Sequence, residues 1–297
     1  MEARGLVHEK SLPTIFPVGL GTGRLASLGA GYSKKDAFQC LDTAMGLGVN
    51  LVDTADSYGS SDCEKLIGSI LKEMGHSMYV SSKAGYRFCD LPRPFGFFNQ
   101  MGKKILNKLG QRQCFYPKYI QECLEGSLRR LRRERLDFFF LHDPTENALM
   151  DDNLTETLLR FKQAGDVRFL GIACTAERAD ALNPNHPLGE WVQTQINPWG
   201  DMQLLGKKWT GRNIIANHVF GGAKISKHSK SLQSIAADEG VTPRQLLIGF
   251  ALKQSSVRCV LVGTGRANHI RENVKAVHKT LSENAHASLR AMIHKNS

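Results

Sequence analysis

Four polar residues stand just past short apolar runs. Asp53 follows Asn50-Leu51-Val52, and Tyr58 lies five residues further along Asp53-Thr54-Ala55-Asp56-Ser57-Tyr58-Gly59. Lys83 follows Tyr79–Ser82, and His142 follows Phe138-Phe139-Phe140-Leu141. Taken singly, each is most simply a satisfied polar residue. Taken together, they make a proton-transfer set. A tyrosine hydroxyl is a poor acid at neutral pH, with an ordinary pKa of about 10. A neighbouring ammonium such as Lys83 stabilises the phenolate and pulls that pKa down. A buried ammonium needs a counter-ion, which Asp53 supplies. His142 can donate a hydrogen bond to a substrate oxygen and fix its orientation. Such a set protonates an oxygen that gains negative charge, as a carbonyl oxygen does when its carbon receives a hydride.

For these groups to converge, the strands that carry them must end at one face. Eight continuous apolar runs are present: Ile15–Leu20, Val49–Val52, Met78–Ser81, Leu136–Leu141, Val167–Ala173, Trp191–Ile196, Asn213–Ala216 and Val257–Val262. Continuous rather than alternating apolar character is what a strand covered on both faces requires. Amphipathic stretches lie between them, for example Cys63, Leu66, Ile67, Ile70, Leu71 and Met74 at helical spacing. Eight strands alternating with helices predict an α/β fold of the (β/α)8 TIM-barrel type, as a single domain over residues 1–297 with a loop insertion at about 86–117. A doubly wound sheet is the alternative. The insertion is expected to hold a short helix near Gly102–Leu109, Met202–Gly211 to interrupt the chain before the seventh strand, and Ser282–Ile293 to form a closing helix. In a barrel, all strand C-termini face one way, so the four polar residues meet at one mouth.

Composition narrows the classes further. With 41% apolar residues in 297, the chain is an ordinary globular one, neither disordered nor a disulfide miniprotein. The first thirteen residues lack the apolar core of a secretory signal, and no run of 18 apolar residues suggests a membrane span. Seven cysteines, none spaced as CxxC, suggest neither a disulfide framework nor a zinc site, so no metal and a cytoplasmic location are expected. Cys63 and Cys123 read as small core residues. The net charge of +11 is concentrated in two segments, net +7 over residues 103–135 and net +6 over residues 207–230. The first, with Arg129-Arg130 and Arg132-Arg133, reads as a solvated helix face. The second can draw an anionic ligand toward the mouth. Neither patch carries a nucleic-acid reading motif, so nucleic acid is not an expected partner.

A phosphate site is suggested after the last strand. Gly263-Thr264-Gly265 leaves that strand and enters a helix at about Ala267. A glycine-rich strand-to-helix turn exposes backbone N–H groups at a helix N-terminus, which favours phosphate, and barrel phosphate sites are frequent near the seventh and eighth strands. Arg266 can pair there with a 2′-phosphate. Gly21-Thr22-Gly23-Arg24-Leu25-Ala26 also matches the dinucleotide fingerprint, but Gly29 and Gly31 interrupt any helix that would follow it, which argues against a Rossmann domain.

At this point the residues carry a resemblance. DTADSYG resembles the aldo-keto reductase signature, in which Asp and Tyr are five apart. LDFFFLHDP resembles that family's fourth-strand motif ending in His, Ser82-Lys83 stands where the family has its lysine, and Val262–Arg266 through Arg271-Glu272-Asn273 resembles its cofactor segment. The similarity runs from about Phe16 to Val277. It implies a barrel that binds NADP(H) in extended form, with NAD(H) as the other cofactor, and that reduces an aldehyde or ketone, or oxidises the alcohol. Tyr58 would then be the general acid and base, tuned by Lys83 and Asp53, with His142 orienting the carbonyl. By the same resemblance Gln193 holds the carboxamide, Asn273 contacts adenine, and Gly21 and Thr22, beside Asp53, approach the pyrophosphate and ribose. Gly263, Thr264 and Arg266 complete the expected cofactor set. The chain differs from the family pattern at Ala173-Cys174, Asn217-His218, Gly263 and His269.

Tyr86 and Trp199 follow strands and are candidates to line a pocket for a small carbonyl or alcohol substrate, as are Phe88 and Phe220. Cys174 is a candidate mouth-lining thiol. The altered carboxamide and stacking positions leave a second function class, a non-catalytic nicotinamide-binding regulatory or sensor barrel. Turnover of carbonyl compounds separates the two.

Overall fold

The computed structural model describes residues 12–25, 32–75, 78–88, 106, 112–182, 185–199, 211–222 and 224–292. Its strands are β1 (Val18–Gly21), β2 (Leu51–Asp53), β3 (Tyr79–Ala84), β4 (Leu136–His142), β5 (Val167–Ala173), β6 (Trp191–Gln195), β7 (Asn213–Asn217) and β8 (Val257–Gly263). Each pairs in parallel with the next, and β8 closes onto β1. The eight apolar runs have become the eight strands of a (β/α)8 barrel.

The helices that cover the barrel are α1 (Lys34–Gly46), α2 (Asp62–Glu73), α3 (Pro117–Leu131), α4 (Glu146–Leu149), α5 (Asp152–Ala164), α6 (Ala176–Ala181), α7 (Lys224–Lys227), α8 (Ser229–Asp238), α9 (Pro243–Leu252), α10 (Ala267–Val274) and α11 (Glu283–Ala291). Their ends follow local chemistry. Ser33 and Asp36 form a reciprocal capping box at the start of α1. Pro117 opens α3, where its missing N–H costs nothing. The expected closing helix is α11, with Ser282 accepting from the Ala285 N–H and with Leu289 and Met292 buried. Ile293 lies outside the described residues.

β4 shows why its sequence is apolar throughout. Phe138 and Phe140 join Phe169 and Trp191 in a cluster inside the barrel, while Phe139 and Leu141 pack into the larger cluster shared with the helices. The Phe138 ring lies 5.1 Å from Phe169 and edge-on to Trp191 at 4.8 Å. Gly171 on β5 makes room for this filling, since a Cβ there would lie 2.2 Å from the Trp191 carbonyl oxygen and 2.6 Å from Phe140.

The basic segment at the end of α3 is only partly a solvated face. Arg129 is exposed, but Arg130 turns inward and donates from Nε to buried Glu64 at 2.7 Å. Arg133 likewise lies 3.4 Å from Asp137, which accepts from the Val80 N–H at 2.9 Å. These arginines neutralise carboxylates that burial would otherwise penalise. The expected helix near Gly102–Leu109 lies outside the described residues except for Leu106, as do Met202–Thr210 of the second interruption, together with Gly29 and Gly31. The ends of the 86–117 insertion are tied by an antiparallel bridge between Tyr86 and Gln113.

Candidate active site

Strand register brings the candidate residues to one rim. Asp53 ends β2 opposite Gly21 of β1 and Ser81 of β3. Lys83 lies opposite Phe140, and His142 ends β4 opposite Ala173, which in turn faces Gln193 of β6. Tyr58 arrives on the loop after β2. That loop is anchored by the Thr54 N–H to Ser81 O at 2.9 Å and the Asp56 N–H to Lys83 O at 3.2 Å. It then reverses through Gly59, Ser60 and Ser61, at φ of 58°, 56° and 75°, so that α2 starts directly behind Tyr58. Two serines in the left-handed region are strained backbone of the kind that gathers at functional sites.

Lys83 is 2% exposed, and its Nζ donates to Asp53 Oδ1 at 2.8 Å, Asp53 Oδ2 at 2.7 Å and the Thr54 carbonyl at 2.7 Å. Ser81 Oγ donates a further bond to Asp53 Oδ1. Burial works to lower the Lys83 pKa, but Asp53 and then Tyr58 outweigh it, and the ammonium is held charged above its ordinary value. Lys83 Nζ lies 5.1 Å from the centre of the Tyr58 ring.

The expected lowering of the Tyr58 pKa is reversed in its net direction. The Lys83 charge is the largest single influence and lowers it. Burial and the Asp53 carboxylate together push up by more, so the phenol sits above its ordinary value. The counter-ion that makes a buried ammonium tolerable also cancels much of its field. His142, 6.0 Å from the Tyr58 ring, is lowered to about 3 by burial first, then by the charges of Lys83 and Arg112, and is a neutral imidazole at physiological pH. The group therefore combines a protonated phenol, a charged ammonium beside it and a neutral hydrogen-bonding ring.

These side chains line one cavity of about 880 Å³ that extends across the barrel mouth to the end of β8. Several features of its walls suit an extended dinucleotide. Gly21 and Gly263 are paired across β1 and β8, and a Cβ on either would find nothing closer than 3.8 Å, so the glycines leave open space in the wall. Gln193 Oε1 and Asn273 Oδ1 are buried in residues lining the cavity and have no hydrogen-bond partner among the described residues. An amide N–H2 and an adenine amino group are the donors such acceptors need. Beyond β8, Arg266, Arg244 and His269 line the same end. Arg244, on the first turn of α9, was not singled out in the sequence because nothing local connects that helix to the cofactor segment. Thr264 organises this corner by accepting from the Arg266 N–H at 3.1 Å and pairing with His269 Nδ1 at 3.2 Å. Thr22 lines the cavity, but its hydroxyl donates to the Asp53 carbonyl at 2.8 Å.

Of the candidate substrate residues, Tyr86 lines the cavity, with its ring edge-on to His142 at 4.8 Å and its hydroxyl donating to Asp143 Oδ2 at 2.9 Å. Phe220 also lines it. Trp199 is placed elsewhere, buried in the cluster of α8, α9 and α11 with its ring stacked on His228 at 5.4 Å. Cys174 is not among the lining residues, and burial first, then the Asp143 charge, pushes its thiol up to about 12. Behind the site, Ser82 Oγ donates to Glu64 Oε1 at 2.5 Å, linking the residue before Lys83 to the Glu64–Arg130 pair. Asp56 is fully buried beside this pair, and burial above all, then the Glu64 charge, raises it to about 8.

Comparison with known proteins agrees with the barrel. The model of the Aldo/keto reductase family matches residues 17–203 and 215–294. An uncharacterized oxidoreductase of Bacillus subtilis, YqkF, is 26% identical, covering 88% of this chain and 87% of its own length. Probable aldo-keto reductase 1 of Glycine max is 22% identical, with 91% and 86% covered. Among solved structures, aldo-keto reductase AKR11C1 from Bacillus halodurans in its holo form aligns with a TM-score of 0.72 at 20% identity, over 93% of this chain and 91% of that one. The thermostable aldo-keto reductase Tm1743 in complex with epalrestat aligns at 0.73 and 22%, over 94% and 95%. With the family model covering nearly the whole length of the barrel and all four rim residues, the chain belongs to the aldo/keto reductase family.

Proposed function

We propose that the protein is an NADP(H)-dependent reductase of aldehydes or ketones, working also in the reverse direction, with Tyr58 as the proton donor. The observation that carries this reading is the shared cavity of Tyr58, the buried Lys83–Asp53 pair and neutral His142. Gln193, Asn273, Gly21 and Gly263 fit a nicotinamide dinucleotide, with the two orphaned acceptors as its anchors. Arg266 and Arg244 favour the form that carries a 2′-phosphate, since guanidinium groups pair strongly with phosphate.

When bound, the cofactor supplies the hydride that a carbonyl carbon accepts. The residues of this chain meet the charge that appears on oxygen. His142 donates a hydrogen bond to the carbonyl oxygen and orients it. Tyr58 holds its proton at neutral pH and transfers it to that oxygen. Lys83 stabilises the phenolate that remains, and Asp53 keeps Lys83 charged and in place. In the oxidising direction the same phenolate removes the alcohol proton. Charge stabilisation by groups already in position needs little reorganisation during the reaction.

The test is steady-state oxidation of NADPH and of NADH with a panel of aldehydes and ketones. The expected result is turnover with several carbonyl compounds and a lower KM for NADPH than for NADH. No turnover with any carbonyl compound, together with tight NADPH binding, would replace this reading with a non-catalytic nicotinamide-binding barrel. A lower KM for NADH would overturn the roles of Arg244 and Arg266.

A further inference from the structure

We infer that Trp199 is a positioning residue for the cofactor: its buried ring, packed directly against Gly221, sets the loop after β7 along the dinucleotide cavity. This role rests on the dinucleotide reading of that cavity. It adds a residue that is not itself among the lining side chains.

β7 stands between β6 and β8 in the closed barrel. Gln193 belongs to β6 and Arg266 follows β8, so the loop leaving β7 spans the middle of the path between them. Asn217, His218, Val219, Phe220, Gly221 and Gly222 all line the cavity. The turn closes with the Gly221 N–H donating to His218 O at 2.9 Å, and His218, Gly221 and Gly222 take left-handed φ values of 47°, 63° and 58°.

Support for this turn comes from the chain that leaves β6. Asn197 Nδ2 donates to His218 O at 3.2 Å, while Asn197 Oδ1 accepts from the Trp199 N–H at 3.1 Å. One amide side chain thus ties the loop to Trp199. The indole then fills the space beside Gly221, where a Cβ would lie 2.3 Å from Cε3 and 2.4 Å from Cζ3. No side chain fits there, and the loop backbone rests on the ring. The ring is fixed in turn by the helices. It stacks on His228 and is buried with Leu232 of α8 and with Leu246, Leu247 and Phe250 of α9. A close-packed cluster of this kind does not yield to small displacements.

The same cluster reaches the phosphate end. Phe220 packs against it, and the Arg244 guanidinium carbon lies 5.7 Å from the centre of the Phe220 ring. Displacing the loop therefore shifts the middle of the cavity wall together with the aromatic partner of Arg244. Asp53, Lys83 and His142 stand on β2, β3 and β4, across the barrel from β7. The effect accordingly falls on cofactor affinity rather than on proton transfer.

The experiment measures the NADPH dissociation constant by calorimetry, and kcat at saturating NADPH, in the wild type, Trp199→Phe, Trp199→Leu, Gly221→Ala and the double variant Gly221→Ala/Trp199→Leu. The methyl group of Gly221→Ala forces the loop off the indole, and NADPH binding is expected to weaken about tenfold or more, with kcat within about threefold of wild type. Trp199→Leu removes Cε3 and Cζ3 and is expected to weaken binding about three- to tenfold, whereas Trp199→Phe keeps most of the affinity. In the double variant the two losses do not add. Removing the ring makes room for the methyl group, and NADPH binds about threefold more tightly than to Gly221→Ala alone, where independent sites would add. Should Gly221→Ala fail to fold, the Trp199 pair decides, since affinity lost in Trp199→Leu and kept in Trp199→Phe supports the role. Wild-type NADPH affinity in folded Gly221→Ala or in Trp199→Leu, or losses that simply add in the double variant, would overturn it while leaving carbonyl reduction standing. Absence of NADPH binding in the wild type would overturn the dinucleotide reading as well.

Discussion

Both carboxylate oxygens of Asp53 accept hydrogen bonds from the Lys83 ammonium, and neither side chain is more than 5% exposed. Removing one partner leaves the other charge buried and uncompensated, which costs about 3–5 kcal/mol. Asp53→Asn is expected to lose that much in urea unfolding and to lose most of its carbonyl-reductase activity. The folded pKa of Lys83 is raised, so its contribution is complete below the ordinary lysine value and is lost only as pH rises through the higher folded one. In Asp53→Asn burial acts on Lys83 without that counter-charge and lowers its pKa, so the variant regains stability as pH rises and the gap to wild type should narrow from pH 6 to pH 9. A gap that stays constant across that window would contradict a buried ammonium held charged by Asp53.

Asp56 gives the opposite pH signature. Its folded pKa of about 8 lies well above the ordinary carboxylate value, because of burial and the nearby Glu64. Between about pH 4 and pH 8 the unfolded chain releases this proton and the folded one keeps it, so stability falls as pH rises. Asp56→Asn removes the effect. The melting temperature of the variant relative to wild type should rise progressively from pH 5 to pH 8, by roughly 2–4 °C for each kcal/mol. A difference independent of pH would show that Asp56 is ionised in the folded protein.

His142, lowered to about 3 by burial and by the charges of Lys83 and Arg112, does not titrate at ordinary assay pH. The pH profile of kcat/KM for a neutral aldehyde should have no acid limb near pH 6.5, the ordinary histidine value. His142→Gln should lower the whole profile without changing its shape between pH 5 and pH 8. A limb near 6.5 that disappears in His142→Gln would mean that the imidazole is protonated on binding.

Gly263 has room for a side chain but lines the cavity proposed to hold the dinucleotide. Gly263→Val should melt within about 2 °C of wild type, as substitutions that create neither clash nor cavity do. Its dissociation constant for NADPH, read from quenching of tryptophan fluorescence, should rise at least tenfold. Unchanged NADPH affinity would move the cofactor path away from the β1–β8 wall.

The sequence disclosed most of this architecture because the barrel strands are buried on both faces. Phe138 and Phe140 fill the interior while Phe139 and Leu141 meet the helices, and such a strand reads as one apolar run. The convergence of Asp53, Lys83 and His142 was legible for a related reason, since residues at strand ends have their direction fixed by the barrel, and Tyr58 follows Asp53 on the short loop that leaves β2. Residues carried by helices and loops had no such constraint. Arg244 reaches the cavity from α9 and Arg112 from the far end of an insertion, and no local pattern distinguishes them from surface arginines. Arg130 looked like one of four solvated cations, yet it turns inward because Glu64, far away in sequence, is buried. Trp199 and Phe220 both follow strands, and only tertiary packing sends one into the helical cluster and the other to the cavity wall. The direction of the Tyr58 shift was hidden as well, because it depends on how completely Asp53 neutralises Lys83.

In the proposed reaction the Tyr58 hydroxyl delivers the proton while the rest of the cavity binds the cofactor. This is tested most directly by Tyr58→Phe, with carbonyl reduction and NADPH binding measured on the same preparation. The expected result is a fall in kcat of about 10²- to 10⁴-fold, the usual worth of a positioned proton donor, with the NADPH dissociation constant unchanged within about threefold. Retention of near wild-type kcat in Tyr58→Phe would contradict it.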